Sequence, residues 1–328
     1  MKLAGNIIVL ALGALVWSFS FSAEAQQPKK VPRIGILHSG SPSSTAAGRE
    51  ALRQGLRDLG YIEGQNIAVE HRYAGGVAEY PNLTTELVRL KVDIIVTQGT
   101  PGALAAKNAT TTIPIVFTGV GDPVGTGVVD SLAHPRGNVT GFSNLTPGLA
   151  EKQVQLLKEA FPKISHLAVV LETANAGNAV SLKEMKVAAE ALQVTLQPVE
   201  FRTPDDFGPA FSTIKREHAS ALIVLRSPVI RTHRTQILDL ATKSRLPAMY
   251  PDRELVDAGG LMSYGPNPFE VYRDLARYVD KILRGAKPAD LPVEQAMKVE
   301  FVINLKMAKQ IGLTIPPNVL ARADRVIR

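Results

Sequence analysis

The chain has 328 residues, a formal net charge of +7 at pH 7 and no cysteine, which excludes disulfides, thiol nucleophiles and thiolate metal sites. Its basic residues are spread along the sequence, and only 5% of the residues are aromatic. Nucleic-acid binding usually needs a clustered basic stripe, often with aromatic stacking partners, so nucleic acid is not expected as a partner.

The first predicted element is a secretory signal peptide at residues 1–25. Lys2 precedes an apolar run, and Ala23 and Ala25 form a small-residue cleavage site. The alternative is a membrane anchor, but the run is shorter than the ~20 apolar residues that a membrane span needs. No cysteine stands at the cleavage site, so a lipid anchor is not expected. The mature protein is therefore expected to be free in the periplasm.

After the signal peptide, short apolar segments alternate with helical patterns. Leu52, Leu56 and Leu59 recur at i, i+4 and i+7, which places them on one face of a helix. The predicted strands of the first half lie at residues 33–37, 66–73, 92–97 and 113–118, and the predicted helices lie around Leu52, at 79–90, at 102–108 and just after Pro123. A glycine- and asparagine-rich stretch at 134–147 ends this half.

The same alternation starts again in the second half. Predicted strands lie at residues 166–171, 194–201, 219–225, 246–250, 259–264 and 299–305, and predicted helices lie at 149–160, around Met185, and at 204–217, 230–244 and 268–284. Strands that alternate with helices predict a parallel, doubly wound sheet. Two such series predict an α/β protein with two lobes, each built on a doubly wound parallel sheet.

Loops rich in hydroxyl, amide, glycine and proline groups follow the predicted strands of both halves. In open parallel sheets, ligands bind outside the carboxyl ends of the strands. Several of these loops lead into predicted helices, whose first N–H groups are unpaired and attract anions. We therefore expect a ligand carboxylate to bind near the hydroxyl of Thr100 and the amides of Gly102 and Ala103.

Four further side chains at these strand ends are candidate ligand contacts, each with a structural alternative. Asp122 could bind an ammonium group, or cap a helix beside Pro123. Arg226 could bind a carboxylate in bidentate fashion, or form a salt bridge at the surface or between the lobes. Tyr250 and Tyr264 could form flat walls for a ligand, or pack in the core.

The motifs of common enzymes are missing from the sequence. It has no G-x-S-x-G elbow, no G-x-x-x-x-G-K-[ST] loop and no H-E-x-x-H helix. The spacing of Gly119, Gly121 and Gly125 departs from the dinucleotide-binding fingerprint, and the six histidines lie far apart. We therefore expect no covalent chemistry, no cofactor and no metal site.

A series of short segments, densest towards the carboxyl terminus, carries a family resemblance. The segments are 33–37 (RIGIL), 48–67, 93–96 (DIIV), 113–117 (IPIVF), 122–124 (DPV), 138–141 (NVTG), 276–288, 291–295 (LPVEQ), 303–306 (INLK) and 312–317 (GLTIPP). They resemble the ABC transporter substrate-binding proteins of the tryptophan/tyrosine type, which have the type I periplasmic-binding-protein fold. The resemblance extends from about residue 31 to the end of the chain.

The resemblance implies two lobes joined by hinge crossovers, with the ligand in the cleft between them. Lobe 1 is expected to comprise residues 31–142 and 266–292, and lobe 2 residues 143–265 and 293–328. The ligand-binding positions of the family map onto Ser39, Ser41, Gly99, Thr100, Asp122, Asn175 and Ser227. The charged Arg226 and the loop before Asn175 depart from the family's pattern, which leaves the identity of the ligand open.

The implied function is that of the periplasmic solute-binding component of an ABC importer. Such a protein, expected to act as a monomer, would capture a small carboxylate-bearing solute by hinge closure and present it to a membrane permease. The solute would be an amino acid, including an aromatic one, or an organic or aromatic acid. Two alternatives remain, namely a ligand-sensing binding protein for a signalling receptor and an enzyme on the same scaffold.

Overall fold

The computed structural model of the chain describes residues 30–143, 148–295 and 299–328. The predicted signal peptide at residues 1–25 lies outside the described residues. Residues Pro32–Arg328 form one compact unit. Within the described ranges, no helix combines the length and the apolar composition that crossing a membrane requires.

The first sheet contains six of the strands in the described part of the chain. They are β1 (Arg33–Ser39), β2 (Ala68–Ala74), β3 (Ile94–Gln98), β4 (Ile115–Val120), β5 (Val139–Ser143) and β11 (Glu294–Gln295). Their order across the sheet is β11-β5-β4-β3-β1-β2, and each neighbouring pair is parallel. Ile94, Ile95 and Val96 of β3 are all buried, as expected for a central strand with helices on both faces of its sheet.

The second sheet contains the other strands of the described ranges. They are β6 (His166–Glu172), β7 (Thr195–Phe201), β8 (Ala221–Val224), β9 (Ala248–Tyr250), β10 (Met262–Pro266), β12 (Val299–Asn304) and β13 (Arg325–Ile327). Their order is β13-β12-β10-β9-β8-β6-β7. The strands from β6 to β10 are parallel, whereas β12 is antiparallel to β10 and parallel to β13. The sheet is therefore parallel except at one edge.

Helices cover both faces of each sheet. On the first sheet, α1 (Ala46–Asp58) and α10 (Pro268–Leu283) share one core, while α2 (Tyr80–Arg89) and α3 (Gly99–Ala109) share the other. On the second sheet, α4 (Leu149–Ala160), α5 (Ala176–Ala191), α11 (Leu305–Gln310) and α12 (Pro317–Leu320) cover one face, and α6 (Phe207–Arg216), α7 (Pro228–Thr232), α8 (Arg234–Ser244) and α9 (Arg253–Asp257) cover the other. Each sheet with its helices forms one lobe, which confirms the predicted two-lobed α/β fold.

The chain passes between the two lobes more than once. It returns from the second sheet to the first between β10 and α10, at Asn267. The chain also leaves the first sheet after Ser143 and again after Gln295, and the next described elements, which begin at Leu149 and Val299, belong to lobe 2. The prediction assigned residues 293–328 to lobe 2, but Glu294 and Gln295 pair with β5 of the first sheet, so this boundary lies at least three residues later. The other predicted boundaries stay predictions.

Several local predictions differ from the structure. The segment after Pro123 is a turn rather than a helix. The helix predicted at 102–108 begins at Gly99, so most of the expected loop is helical. The helix predicted at 230–244 is split into α7 and α8, because Ser227 and Pro228 start a short helix earlier than expected. The strands β5 and β13 were not predicted.

Candidate functional site

The main cavity lies at the carboxyl ends of the parallel strands of both lobes. It has a volume of about 140 Å³, close to the ~150 Å³ of a protein cavity that holds one benzene molecule. Residues that follow β1, β3 and β4 line it from the first lobe, and residues that follow β6, β8 and β9 line it from the second. The cavity is therefore a cleft between the lobes that is large enough for one small molecule.

Six of the predicted site residues line this cavity. They are Ser39, Gly99, Thr100, Asn175, Arg226 and Ser227. Three belong to the first lobe and three to the second, so the structure brings loops of both halves of the sequence to one place. The four other predicted residues, Ser41, Asp122, Tyr250 and Tyr264, do not line the cavity.

Ser41 and Asp122 hold their own loops together. The Ser41 hydroxyl accepts a hydrogen bond from the Ser44 amide at 3.2 Å. The carboxylate of Asp122 accepts one from the Gly125 amide at 2.8 Å. Asp122 therefore caps the turn that follows β4, which corresponds to the structural alternative for this residue, although no helix follows.

Tyr250 and Tyr264 lie in the packed interior of lobe 2 rather than along the cavity. The side chain of Tyr250 is 2% exposed and belongs to the core beneath α6 and α8. The ring of Tyr264 packs edge-on against Phe301, with 6.2 Å between the ring centroids. Both side chains therefore make the packing contacts that were the structural alternative for these residues, because their strands turn them towards the core.

Two helices from opposite lobes point their amino termini at the cavity. Helix α3 begins at Gly99 without a side-chain cap, so its first N–H groups remain available. Helix α5 begins next to Asn175, whose side-chain oxygen Oδ1 accepts from the Gly177 amide at 3.1 Å. A Cβ atom built on Gly177 would lie 2.8 Å from the Thr100 hydroxyl oxygen, so the two termini touch across the cleft. The positive ends of two helix dipoles converge here, which favours an anionic group.

A cluster of four charged residues, which we call the charge cluster, forms the wall of lobe 2. It comprises Arg226, Arg231, Asp252 and Glu254. Arg226 donates to Asp252 at 3.1 Å and to the Pro251 carbonyl at 3.0 Å, and Arg231 pairs with Asp252 at 3.5 Å and with Glu254. The salt bridge of Arg226 lies within lobe 2, so it is not a bridge between the lobes, and the predicted role of Arg226 as a ligand contact stays a prediction.

Sequence reasoning missed Arg231, Asp252 and Glu254. They lie on α7 and at the start of α9, two helices that the sequence did not predict as separate elements. A possible signal was the sequence 250–254, in which two acidic residues follow closely after a buried strand. Burial raises the pKa of the Glu254 carboxyl, while the neighbouring Arg231 acts in the opposite direction.

Ser227 has a structural task next to the cavity. Its hydroxyl donates to the Glu172 carboxylate at 2.6 Å and accepts from the Ile230 amide at 3.2 Å, which caps helix α7. Since the hydroxyl proton is already committed to Glu172, Ser227 has no donor left for a ligand. The carboxyl group of Glu172, which sequence reasoning did not single out, anchors this corner of the cleft.

The two lobes contact each other at further points around the cavity. A Cβ atom built on Gly40 of lobe 1 would lie 2.9 Å from Cδ of Arg231 in lobe 2. The backbone N–H of Val77 in lobe 1 approaches the carboxylate of Glu172 in lobe 2 closely enough to lower its pKa. Together with the contact between Thr100 and Gly177, these approaches show a cleft that is closed around the cavity.

No metal site is evident in the described ranges. Among those residues, no three histidine, aspartate or glutamate side chains are grouped so that they could hold an ion. Asp252 and Glu254 of the cavity wall instead pair with arginines.

Comparisons with known proteins agree with this architecture. The family model described as "ABC transporter substrate binding protein" matches residues 33–327. A curated "Tyrosine-binding protein" of Clostridioides difficile is 26% identical over 286 residues, which cover 87% of this chain and 82% of the relative. Among the solved structures that are similar over almost their full length, one is described as bound to a ligand and another as ligand-free and open.

The first is an ABC domain from Streptococcus pneumonia in complex with L-Trp, with 26% identity, a TM-score of 0.81, and coverage of 90% of this chain and 100% of that one. The second is the ligand-free, open structure of a substrate binding protein with adhesive properties from Clostridium difficile, with 25% identity, a TM-score of 0.64, and coverage of 91% and 99%. At nearly equal identity, the present lobe arrangement is thus closer to that of the tryptophan complex. The extent of the family match, over both lobes and the cleft between them, shows that this chain belongs to the ABC transporter substrate binding protein family.

Proposed function

We propose that this protein captures a small carboxylate-bearing solute, an amino acid or an organic acid, in the inter-lobe cleft and presents it to the permease of an ABC importer. The observation that carries the proposal is the meeting of helices α3 and α5 at one cavity. Their amino termini come from opposite lobes, at Thr100 and Gly177. A carboxylate bound beside both termini would interact with both lobes at once.

This arrangement couples binding to closure. In the open protein, each helix terminus would be solvated separately, and the solute would contact only one lobe. In the closed protein, both termini face the same anion, so the solute binds the closed form more tightly and shifts the equilibrium towards it. A permease can then distinguish the loaded protein from the empty one by the shape of the closed lobes.

The remaining parts of the proposal rest on sequence and family membership. The predicted signal peptide supports export to the periplasm, and the lack of a cysteine supports a protein without a lipid anchor. Family membership supports a permease as partner and binding without covalent change, so we propose that the protein is not an enzyme. We propose a monomer as the active form, because the cavity is completed by two lobes of one chain.

The first experiment identifies the solute. Mass spectrometry of the small molecules that co-purify with the exported protein should detect a carboxylate-bearing compound, and a thermal-shift screen of amino acids and organic acids should raise Tm for the same compound. Chemical conversion of the tightly bound compound by the protein would contradict the proposal.

The second experiment tests closure. In Gly177→Val, the added side chain would collide with Thr100 only when the lobes meet, so we expect the affinity for the co-purifying compound to fall at least tenfold. Ala179→Val is the matched control, because Ala179 is exposed on the same helix. Calorimetric titration measures both affinities. Equal loss in the two variants, or no loss in Gly177→Val, would contradict closure around the solute.

A further inference from the structure

The wall of the cavity offers no aromatic face to a ligand. In the described part of the chain, Tyr80 is the only aromatic residue that lines it. The Tyr80 side chain is 1% exposed, and its ring packs in the core of lobe 1, where a Cβ atom built on Gly102 would lie 3.0 Å from Cε1 of the ring. An indole or phenol ring in the cleft would therefore find no ring to stack on.

Unpartnered polar atoms instead concentrate on the residues of this wall. Seven buried side-chain oxygens of the described residues have no hydrogen-bond partner, and four of them belong to residues that line the cavity. These four atoms are the Tyr80 hydroxyl, which lies close enough to the Ser39 side chain for that residue to lower its pKa, Oε1 of Gln98, Oδ1 of Asp252 and Oε1 of Glu254. A buried polar group without a partner costs about 1–3 kcal/mol, so such a concentration points to groups that a ligand completes.

The Gln98 oxygen is an acceptor and cannot donate. The Asp252 and Glu254 oxygens are likewise acceptors only, as long as the two carboxyls are ionised. The side chain of Asp252 is 4% exposed, and its other oxygen already pairs with Arg226 and Arg231. Glu254 likewise uses its other oxygen for Arg231. The arginines therefore fix both carboxylates in place, and each carboxylate keeps one oxygen for a further donor.

The acceptors come from both sides of the cleft. Gln98 ends strand β3 in lobe 1, whereas Asp252 and Glu254 belong to lobe 2. A group with several N–H donors that reached acceptors of both lobes would stabilise the closed form in addition to the carboxylate at the helix termini. The phenol of tyrosine or the indole of tryptophan carries only one donor, so beside either ring at least two of these acceptors would depend on the α-ammonium group of the solute for a partner.

We infer that the solute carries an amide, guanidinium or ammonium group at the end opposite its carboxylate, and that the cleft discriminates against aromatic amino acids. This inference rests on the proposed function, since it assumes a carboxylate-bearing solute in the same cleft. It separates this chain from the relatives described as binding tyrosine or as complexed with L-Trp.

The test is calorimetric titration of the protein, freed of bound compounds, with six amino acids. L-asparagine, L-glutamine, L-arginine and L-lysine carry the inferred groups, whereas L-tyrosine and L-tryptophan do not. At least one of the first four should bind at least tenfold more tightly than both aromatic amino acids. A site built around hydrogen bonds rejects ligands that lack the donors because its own polar groups are then left unpaired.

Two variants assign the preference to this wall. Glu254→Gln replaces a charged acceptor by a neutral amide and should weaken binding of the preferred amino acid at least tenfold. Gln98→Leu removes the acceptor of lobe 1 and leaves the charge cluster unchanged. It should also weaken binding of the preferred amino acid. Asp257→Asn is the control, because Asp257 lies on the same helix α9, pairs with Arg253 and Arg325, and does not line the cavity.

The possible results separate the two proposals. Binding of L-tyrosine or L-tryptophan as tight as that of the other four would overturn the inference and leave the proposed function intact. Equal affinities in Gln98→Leu, Glu254→Gln and Asp257→Asn would also overturn it. Binding of none of the six would overturn it as well, and the co-purifying compound would then decide whether the proposed function stands.

Discussion

His38 is a buried ionisable residue at the end of strand β1. Its side chain is 3% exposed, its Nε2 lies 2.9 Å from Nδ1 of His71, and its ring stacks on Tyr73 at 4.7 Å between centroids. Burial, with smaller contributions from His71 and from the cations of Arg49 and Arg231, lowers the pKa of His38 to about 3. The neutral ring is therefore part of the folded structure.

This pKa predicts a loss of stability in acid. A histidine whose pKa is lower in the folded than in the unfolded protein stabilises the fold above its unfolded pKa of ~6.5 and loses that contribution as the pH falls towards its folded pKa. We expect the free energy of unfolding to fall by up to about 1.4 kcal/mol per pH unit from this group below pH ~6. Denaturant titrations of the wild type and His38→Gln between pH 7 and pH 4 measure the difference.

The control for this prediction is His134→Gln, because His134 is exposed. It should keep the wild-type slope of stability against pH, whereas His38→Gln should show a shallower one. Identical slopes in all three proteins would assign the acid sensitivity to other groups.

At this scale, the sequence located residues by their position along the chain but not by their orientation. Thr100 and Arg226 were found because each directly follows an apolar strand, and strand ends meet at the cleft. Tyr250 and Tyr264 have similar positions, yet both point into the core of lobe 2. Arg231 could not be predicted, since it reaches the cleft from the short helix α7, whose placement depends on tertiary packing.

Among the helices, α1 and α10 approach each other closely through glycine. A Cβ atom built on Gly55 would lie 2.9 Å from Cβ of Ala276 and 3.3 Å from Cα of Arg273. A methyl group at Gly55 would thus press against the facing helix and its backbone. The pair joins the first helix of lobe 1 to the helix that follows β10 of the second sheet, so this contact secures the return of the chain to lobe 1.

The consequence is a prediction for Gly55→Ala. Alanine gains about 1 kcal/mol over glycine in helix propensity, but overpacking a core typically costs about 1–3 kcal/mol, so we expect net destabilisation. Gly208→Ala on α6 is the matched variant, because a Cβ atom there has no neighbour within 4 Å, and it should be stabilised. Thermal unfolding should move Tm in opposite directions, and a rise in both would contradict close packing at Gly55.

The sequence predicted elements best where one pattern decided the outcome. Helix α4 has the predicted bounds because its apolar face repeats regularly and it starts directly after Gly148. The break between α7 and α8 was missed, because residues 230–244 look continuous while the cap at Ser227 begins a separate turn. Strand β5 was missed for another reason. Its Gly141 has a φ of 152° and packs against the backbone of Phe117, so a glycine that suggested a loop allows close strand pairing.

For the whole molecule, the contact between Glu172 and Val77 links closure to protonation. Glu172 is 2% exposed, and burial raises the pKa of its carboxyl, against the smaller opposite effects of the Ser227 hydroxyl and the Val77 N–H. Tyr80 of lobe 1 also faces this carboxyl. Val77 and Tyr80 move away when the lobes separate, so part of the burial belongs to the closed form alone.

Closure adds burial, which raises the pKa of Glu172, and the Val77 N–H, which lowers it. Because burial is the larger of the two effects, we expect the closed form to bind a proton at Glu172 more tightly than the open form. Because closure raises the pKa of Glu172, protonation stabilises the closed form at low pH. This stabilisation is lost as the pH rises through the pKa that Glu172 has in the closed form. The closed fraction should increase between pH 8 and pH 5. Glu172→Gln should remove this pH dependence, since glutamine keeps an acceptor for Ser227 but does not ionise in this range.

The absence of native cysteine makes the measurement direct, because introduced cysteines are the only labelling sites. Arg57→Cys on α1 and Lys215→Cys on α6 are both exposed and lie in different lobes, so fluorescent labels at these positions report the distance between the lobes. Glu200→Gln, exposed on β7, is the control and should keep the pH dependence of the parent. A pH dependence that survives in Glu172→Gln would place the proton at another group. A distance that does not change with pH in the parent would show that Glu172 is as buried in the open form as in the closed one.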